Sequence, residues 1–220
     1  MLRRSARLIT YVTAVICVLL LPLQAAGLET GCVACHSKEQ VQLRKPAAEP
    51  IRIRTGGRTR VITLEDAFAF RGHPCSGVVI AFLALRQGIQ ELWGGRIPDR
   101  RDMAVLSRTK RGGAVSVCDL VMGGGRSTHE MTVQTAKPGT GNFHFVIIDK
   151  SASRAVDIIL RQDALPGQFM PLKKKLQNKS LGRKGWETLH GCIQEIIIGF
   201  PDRSPGELFE KPAPYDLIVW

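Results

Sequence analysis

The residues of this chain with the most chemical potential lie in two short runs. One is Phe70-Arg71-Gly72-His73-Pro74-Cys75-Ser76-Gly77, followed at once by the apolar run Val78 to Leu85. A histidine and a cysteine two apart, in a Gly/Pro turn that opens a helix, put an imidazole and a thiol at a helix N-terminus. That end of a helix favours negative charge, and a thiolate there is stabilised. Cys75 is thereby suited to bind a metal or act as a nucleophile, with His73 as its companion, and Ser76 is the expected N-cap. The same residues also fit a tight turn in which Cys75 is a small buried hydrophobe and His73 a satisfied surface group.

The other run is Gly31-Cys32-Val33-Ala34-Cys35-His36-Ser37. Cys-x-x-Cys-His is the haem c attachment pattern: two thiols bond to the porphyrin vinyl groups and the adjacent histidine reaches the iron. Cys32, Cys35 and His36 are therefore the expected haem-binding residues. A disulfide between Cys32 and Cys35, or a short metal-binding knuckle, would use the same residues differently. Residues 37–50 are polar, basic and proline-bearing and cannot bury a porphyrin alone, so a haem would lie against the main domain. A sixth ligand would come from Met103, Met122, Met131, Met170, His129, His144 or His190, from a partner subunit, or the position would stay open.

The first of these runs carries a family resemblance. Phe70-x-Gly72-His73-x-Cys75-x-Gly77 before an alanine-containing apolar helix resembles the signature of the FmdE family, named for a subunit of formylmethanofuran dehydrogenase. Two later stretches agree: Cys118-Asp119 to Gly125, and Pro205-Gly206-Glu207-Leu208-Phe209-Glu210, which is similar to the family's closing Pro-Glu-Glu-Leu-Phe. The likeness covers roughly residues 60 to 215. It implies an α+β domain that binds a metal, with zinc expected, held by His73 and Cys75 with Cys118 as third ligand. The family segment near 118 usually supplies further cysteines; here glycines stand where a second would be.

What positions these groups follows from the order of the chain. Arg3, Arg4 and Arg7 precede the uncharged run Leu8 to Leu23 and the small pair Ala25-Ala26, the pattern of a secretory signal peptide over residues 1–26. An uncleaved membrane anchor is the rival, because the apolar run is nearly long enough to span a bilayer. A lipoprotein reading fails, since bulky Val15-Ile16 precede Cys17. Removing the leader's three arginines lowers the formal net charge from +12 to +9. Residues 27–50 then form the haem attachment segment and linker, and 51–220 the metal-binding domain. The mature chain is long enough to bury about 70% of its unfolded surface, so one core needs no disulfide framework.

Within the domain, Ile51 to Ile62 alternates apolar and basic residues around Gly56-Gly57, a β-hairpin signal, with Arg52, Arg54, Arg58 and Arg60 assigned to one face. Thr63-Leu64-Glu65-Asp66 is a variant capping box opening a short helix to Phe70. A core helix follows to about Trp93, ended by Gly94-Gly95, and Met103–Ser107 is a buried strand. Residues 108–128 form a glycine-rich basic stretch able to cradle an anion, without P-loop or dinucleotide spacing. His129–Thr135, Asn142–Ile148 and Arg154–Leu160 alternate as three antiparallel strands, with His129 and His144 able to face the site. Pro166–Asn178 and Gly182–Ile198 are helical, and Lys173-Lys174-Lys175 is a solvated helix face. His190 and Cys192 point about 200° apart on the last helix, so Cys192 belongs to the core.

The expected fold is α+β, an antiparallel sheet packed against helices, preceded by a signal peptide and the Cys-x-x-Cys-His segment. Three functions are compatible: an exported FmdE-like metal-binding protein with one covalent haem c, serving electron transfer or a periplasmic redox enzyme; a zinc enzyme acting on a pterin-like or one-carbon substrate; or a metal-binding module without chemistry. No paired catalytic carboxylates or Ser/His/Asp arrangement stand out. The basic charge suits an acidic redox partner steered electrostatically, a homodimer is compatible, nucleic acid is not expected, and the membrane enters only through an uncleaved leader.

Overall fold

The computed structural model describes residues 48–109, 112–123 and 143–217. The leader, Cys32, Cys35, His36, most of the linker and the expected strand His129–Thr135 lie outside the described residues. Among the described residues no helix is long and apolar enough to cross a membrane.

The chain is α+β, with antiparallel sheets packed against helices. It opens with the hairpin of β1 (Ile51–Thr55) and β2 (Arg58–Ile62), turned by Gly56 and Gly57 at φ +56° and +79°. Two consecutive left-handed residues suit glycine and match the twist of the strands. Because the turn holds two residues, odd-numbered positions of β1 face even-numbered positions of β2: Ile53 lies opposite Arg60 and Arg52 opposite Val61. Directly opposed side chains share a face. The four arginines are therefore split, with Arg52 and Arg54 beside Thr59 and Val61, and Arg58 and Arg60 on the side of the buried Ile51 and Ile53, which corrects the single basic face. The hairpin is pinned to the 96–99 loop by Arg54 N–H donating to Pro98 C=O at 2.7 Å.

Thr63 caps α1 (Leu64–Arg71) through a reciprocal pair: Asp66 N–H donates to Thr63 Oγ1 at 3.1 Å, and Thr63 N–H donates to Asp66 Oδ2 at 2.8 Å. Gly72 ends α1 at φ +91°. The chain then enters α2 (Ser76–Trp93), the central element, whose residues Val78 to Leu85 are all at most 2% exposed. A helix apolar on every side has to be surrounded, and α2 is packed against α1, α3 (Gly113–Met122), α5 (Arg183–Gly199), β4 (His144–Asp149) and β5 (Arg154–Ile159). At Gly88 the approach is so close that a Cβ would lie 2.6 Å from Ile147 Cδ1.

The main sheet has the order β3 (Met103–Ser107), β4, β5, β6 (Tyr215–Asp216), all antiparallel. Its α2-facing side carries Val105, Phe145, Ile147, Val156 and Ile158, each buried. The β4–β5 turn is held by the buried Asp149, whose Oδ1 accepts from Ser151 N–H, Ser151 O–H and Ala152 N–H at 2.6 to 3.2 Å. Helix α4 (Phe169–Gln177) packs on α5, and the one-turn α6 (Pro205–Leu208) leads back to the sheet. Residues 113–122, flanked by glycines, are the helix α3 rather than an open anion-binding loop.

Candidate metal centre

Cys75, not Ser76, is the N-cap of α2; its φ and ψ of −148° and 134° are extended, its side chain makes no capping hydrogen bond, and Ser76 is already in the first turn. The Cys75 carbonyl accepts from Val78 and Val79 N–H at 3.0 and 3.2 Å, which opens the helix without help from a hydroxyl. The thiol is buried, 3% exposed.

Where that thiol points is not legible from the motif. Helix α3 starts at Gly113, and a Cβ placed there would lie 2.9 Å from Cys75 Sγ, 2.9 Å from Val78 N and 2.8 Å from Val78 Cγ2. Gly77 meets the same end of α3, its own Cβ position lying 3.4 Å from Ala114 N. Two helix N-termini thus converge on Cys75, and neither has an acidic residue in its first turn or a side-chain cap. Each brings the positive end of its dipole to that junction. Gly113 is a positioning residue that the motif does not disclose; the Gly112-Gly113 pair is the signal for it, since only a residue without a side chain permits this approach. His73 lies two residues before Cys75 in the connecting turn and is half-buried.

Cys118 lies five residues beyond Gly113, about one and a half turns into α3, and is 2% exposed. Burial, aided by the neighbouring Asp119 carboxylate, pushes its thiol up to about 12. Among the described residues no three His, Cys, Asp or Glu side chains form a group able to hold a metal ion. Cys75, Cys118 and Cys192 are all buried and outside any disulfide, and Cys192 is shifted upward by burial, as suits a core residue.

His144 does not face this centre. It lies on the sheet side opposite Phe145 and Ile147, 1% exposed, where its Nε2 is hydrogen-bonded to Asp157 Oδ1 on β5. That contact, with a further hydrogen bond from Tyr215, holds the Asp157 carboxyl below its usual range against a smaller opposing effect of burial. A groove of about 440 Å³ lined by Gln87, Arg161, Pro205 and Phe209 contains none of the candidate donors. Gln87 lies about 18 Å along α2 from Cys75, so the concave surface and the sulfur chemistry are separate.

Fold and site together define an α+β domain with an imidazole–thiol motif at the meeting point of two helix starts. Among solved structures it is similar to a protein from Syntrophus aciditrophicus that is itself like FmdE of tungsten formylmethanofuran dehydrogenase; the two are 14% identical, with a TM-score of 0.40 over 70% of this chain and 71% of that one. No family model matches the chain, and no curated protein is similar to it.

Proposed function

We propose that the chain is an FmdE-like metal-binding protein in which His73 and Cys75 supply the first donors to zinc or another divalent metal. The observation that carries this reading is the seating of Cys75 Sγ at the first turns of both α2 and α3. A thiolate and an imidazole are a donor set suited to zinc, and with three protein donors and an open position zinc supplies a Lewis acid. Cys118 is the third donor in this reading. Among the described residues it does not stand in one group with His73 and Cys75, so it would join only on a rearrangement that metal binding drives. In the same reading residues 1–26 export the chain, Cys32 and Cys35 bind haem c covalently with His36 as proximal ligand, and the protein serves electron transfer or a periplasmic redox enzyme.

Elemental analysis tests the metal. Full-length protein is expected to hold one divalent metal beyond haem iron and the His73→Ala, Cys75→Ser double variant none; equal content in both would refute the site. The haem is tested separately, by expression with the attachment machinery. If no haem stays on the denatured chain, Cys32 and Cys35 are a disulfide and electron transfer falls away.

A further inference from the structure

The segment from Phe169 to Trp186 contains six Lys and Arg and no Asp or Glu. One of the six has a structural role: Lys173 is half-buried, with Nζ 4.9 Å from the Phe143 ring and 5.7 Å from the Phe169 ring. The other five, Lys174, Lys175, Lys179, Arg183 and Lys184, are exposed and crowd one corner where α4 ends and α5 begins.

Local structure disfavours three of these five cations. Lys179 stands at φ +56°, a left-handed conformation in which a side chain is strained and glycine or asparagine is not. Arg183 and Lys184 occupy the first turn of α5, where the helix dipole repels positive charge, and that turn has neither an acidic residue nor a side-chain cap. The compensation is slight: Arg183 pairs with Glu187 at 3.4 Å, both side chains well exposed. These three cations stand against local preference and are exposed, so stability does not account for them.

The chemistry of the corner narrows its partner. Met170, Leu176, Leu181 and Trp186 are packed against the core, and the exposed large apolar residues, Val61, Phe70, Ile198 and Tyr215, all belong to other segments. Among the described residues the corner thus has no exposed large apolar side chain to insert into a bilayer or to stack against bases. Four of the five cations are lysines, compact and strongly hydrated charges suited to reversible encounter with carboxylates. We propose that the α4–α5 corner is the docking face for an acidic protein surface. This rests on neither the metal nor the haem.

The test uses the full chain at low salt against poly-L-glutamate, phosphatidylserine vesicles and double-stranded DNA in parallel. Arg183→Glu with Lys184→Glu, and separately Lys179→Gly, are compared with a control of equal charge change to the double variant, Arg52→Glu with Arg54→Glu on the hairpin. Both corner variants are expected to melt above the wild type, because each relieves a local conflict, and yet to bind polyglutamate more weakly, the double variant by about tenfold. The hairpin control keeps most of the binding. Absence of polyglutamate binding by the wild type, equal weakening in corner and hairpin variants, or tighter binding to vesicles or DNA would each overturn the proposal.

Discussion

Replacing Gly113 by alanine probes the junction on which the metal centre depends. The added methyl carbon would lie 2.8 Å from Val78 Cγ2 and 2.9 Å from both Cys75 Sγ and Val78 N, about 0.5 Å closer than ordinary contact in each case. Val78 Cγ2 could rotate away. Val78 N cannot, being backbone fixed by its hydrogen bond to Cys75 C=O at 3.0 Å. The first turn of α2 therefore has to move off α3. Overpacking of this kind costs about 1 to 3 kcal/mol, and because Gly113 is the first residue of α3, where helix propensity counts for little, the net loss is of the same size. For a domain of this size that is a fall of about 2 to 12 °C in melting temperature, readable by far-ultraviolet circular dichroism. Gly191→Ala in the middle of α5 is the control: nothing lies within 4 Å of its Cβ position, so it should gain up to about 1 kcal/mol. Metal content of Gly113→Ala should fall together with its melting temperature. A Gly113→Ala protein that melts at or above the wild type, while Gly191→Ala behaves as stated, would refute the close seating of Cys75 against α3.

Two further predictions concern ionisation. The Asp157 carboxyl is held below its usual range by His144 and Tyr215, so its contribution to stability is complete above the unfolded value of about 4 and lost as pH falls through the lowered folded value. Urea unfolding between pH 2 and 5 should therefore show a steeper acid loss in wild type than in Asp157→Asn, and parallel curves would contradict the assignment. Cys118, with its thiol raised to about 12 and 2% exposed, should resist iodoacetamide at pH 8 in the folded metal-free protein and react once urea is added; mass spectrometry locates the label, and native labelling at Cys118 would be the contrary result.

Local signals in the chain are legible where one residue type dictates backbone geometry. Gly56-Gly57 announces the hairpin, Thr63 and Asp66 the capping box, and Gly94 the end of α2. Counting the alternation straight through the turn puts the hairpin arginines on one face. A two-residue turn shifts the parity, and only strand register reveals it. Helix α3 is hidden as a loop because glycines bracket ten residues, too short for apolar periodicity to stand out against them. The His73/Cys75 motif is visible as chemistry, yet the second helix start beside Cys75 arises from a contact 38 residues away in sequence, between Cys75 and Gly113. The His144–Asp157 pair is equally non-local, joining two strands by a register that no periodicity encodes.

The return of the chain after α6 has a consequence for solubility. Strand β5 would be a sheet edge, and the last described residues run along it: Arg161 N–H donates to Leu208 C=O and Glu210 N–H to Ile159 C=O, both at 2.9 Å, while Leu217 N–H donates to Ser153 C=O at 2.7 Å beyond β6. Between these anchors stand Pro212 and Pro214, which have no N–H to offer a further strand. The segment therefore blunts an edge that would otherwise invite pairing between copies. A chain cut after Glu210 loses that guard while keeping α2 and its surroundings. Light scattering is expected to find the shortened protein folded but self-associating, and a shortened chain as monodisperse as the full one would show that the edge is guarded by something else.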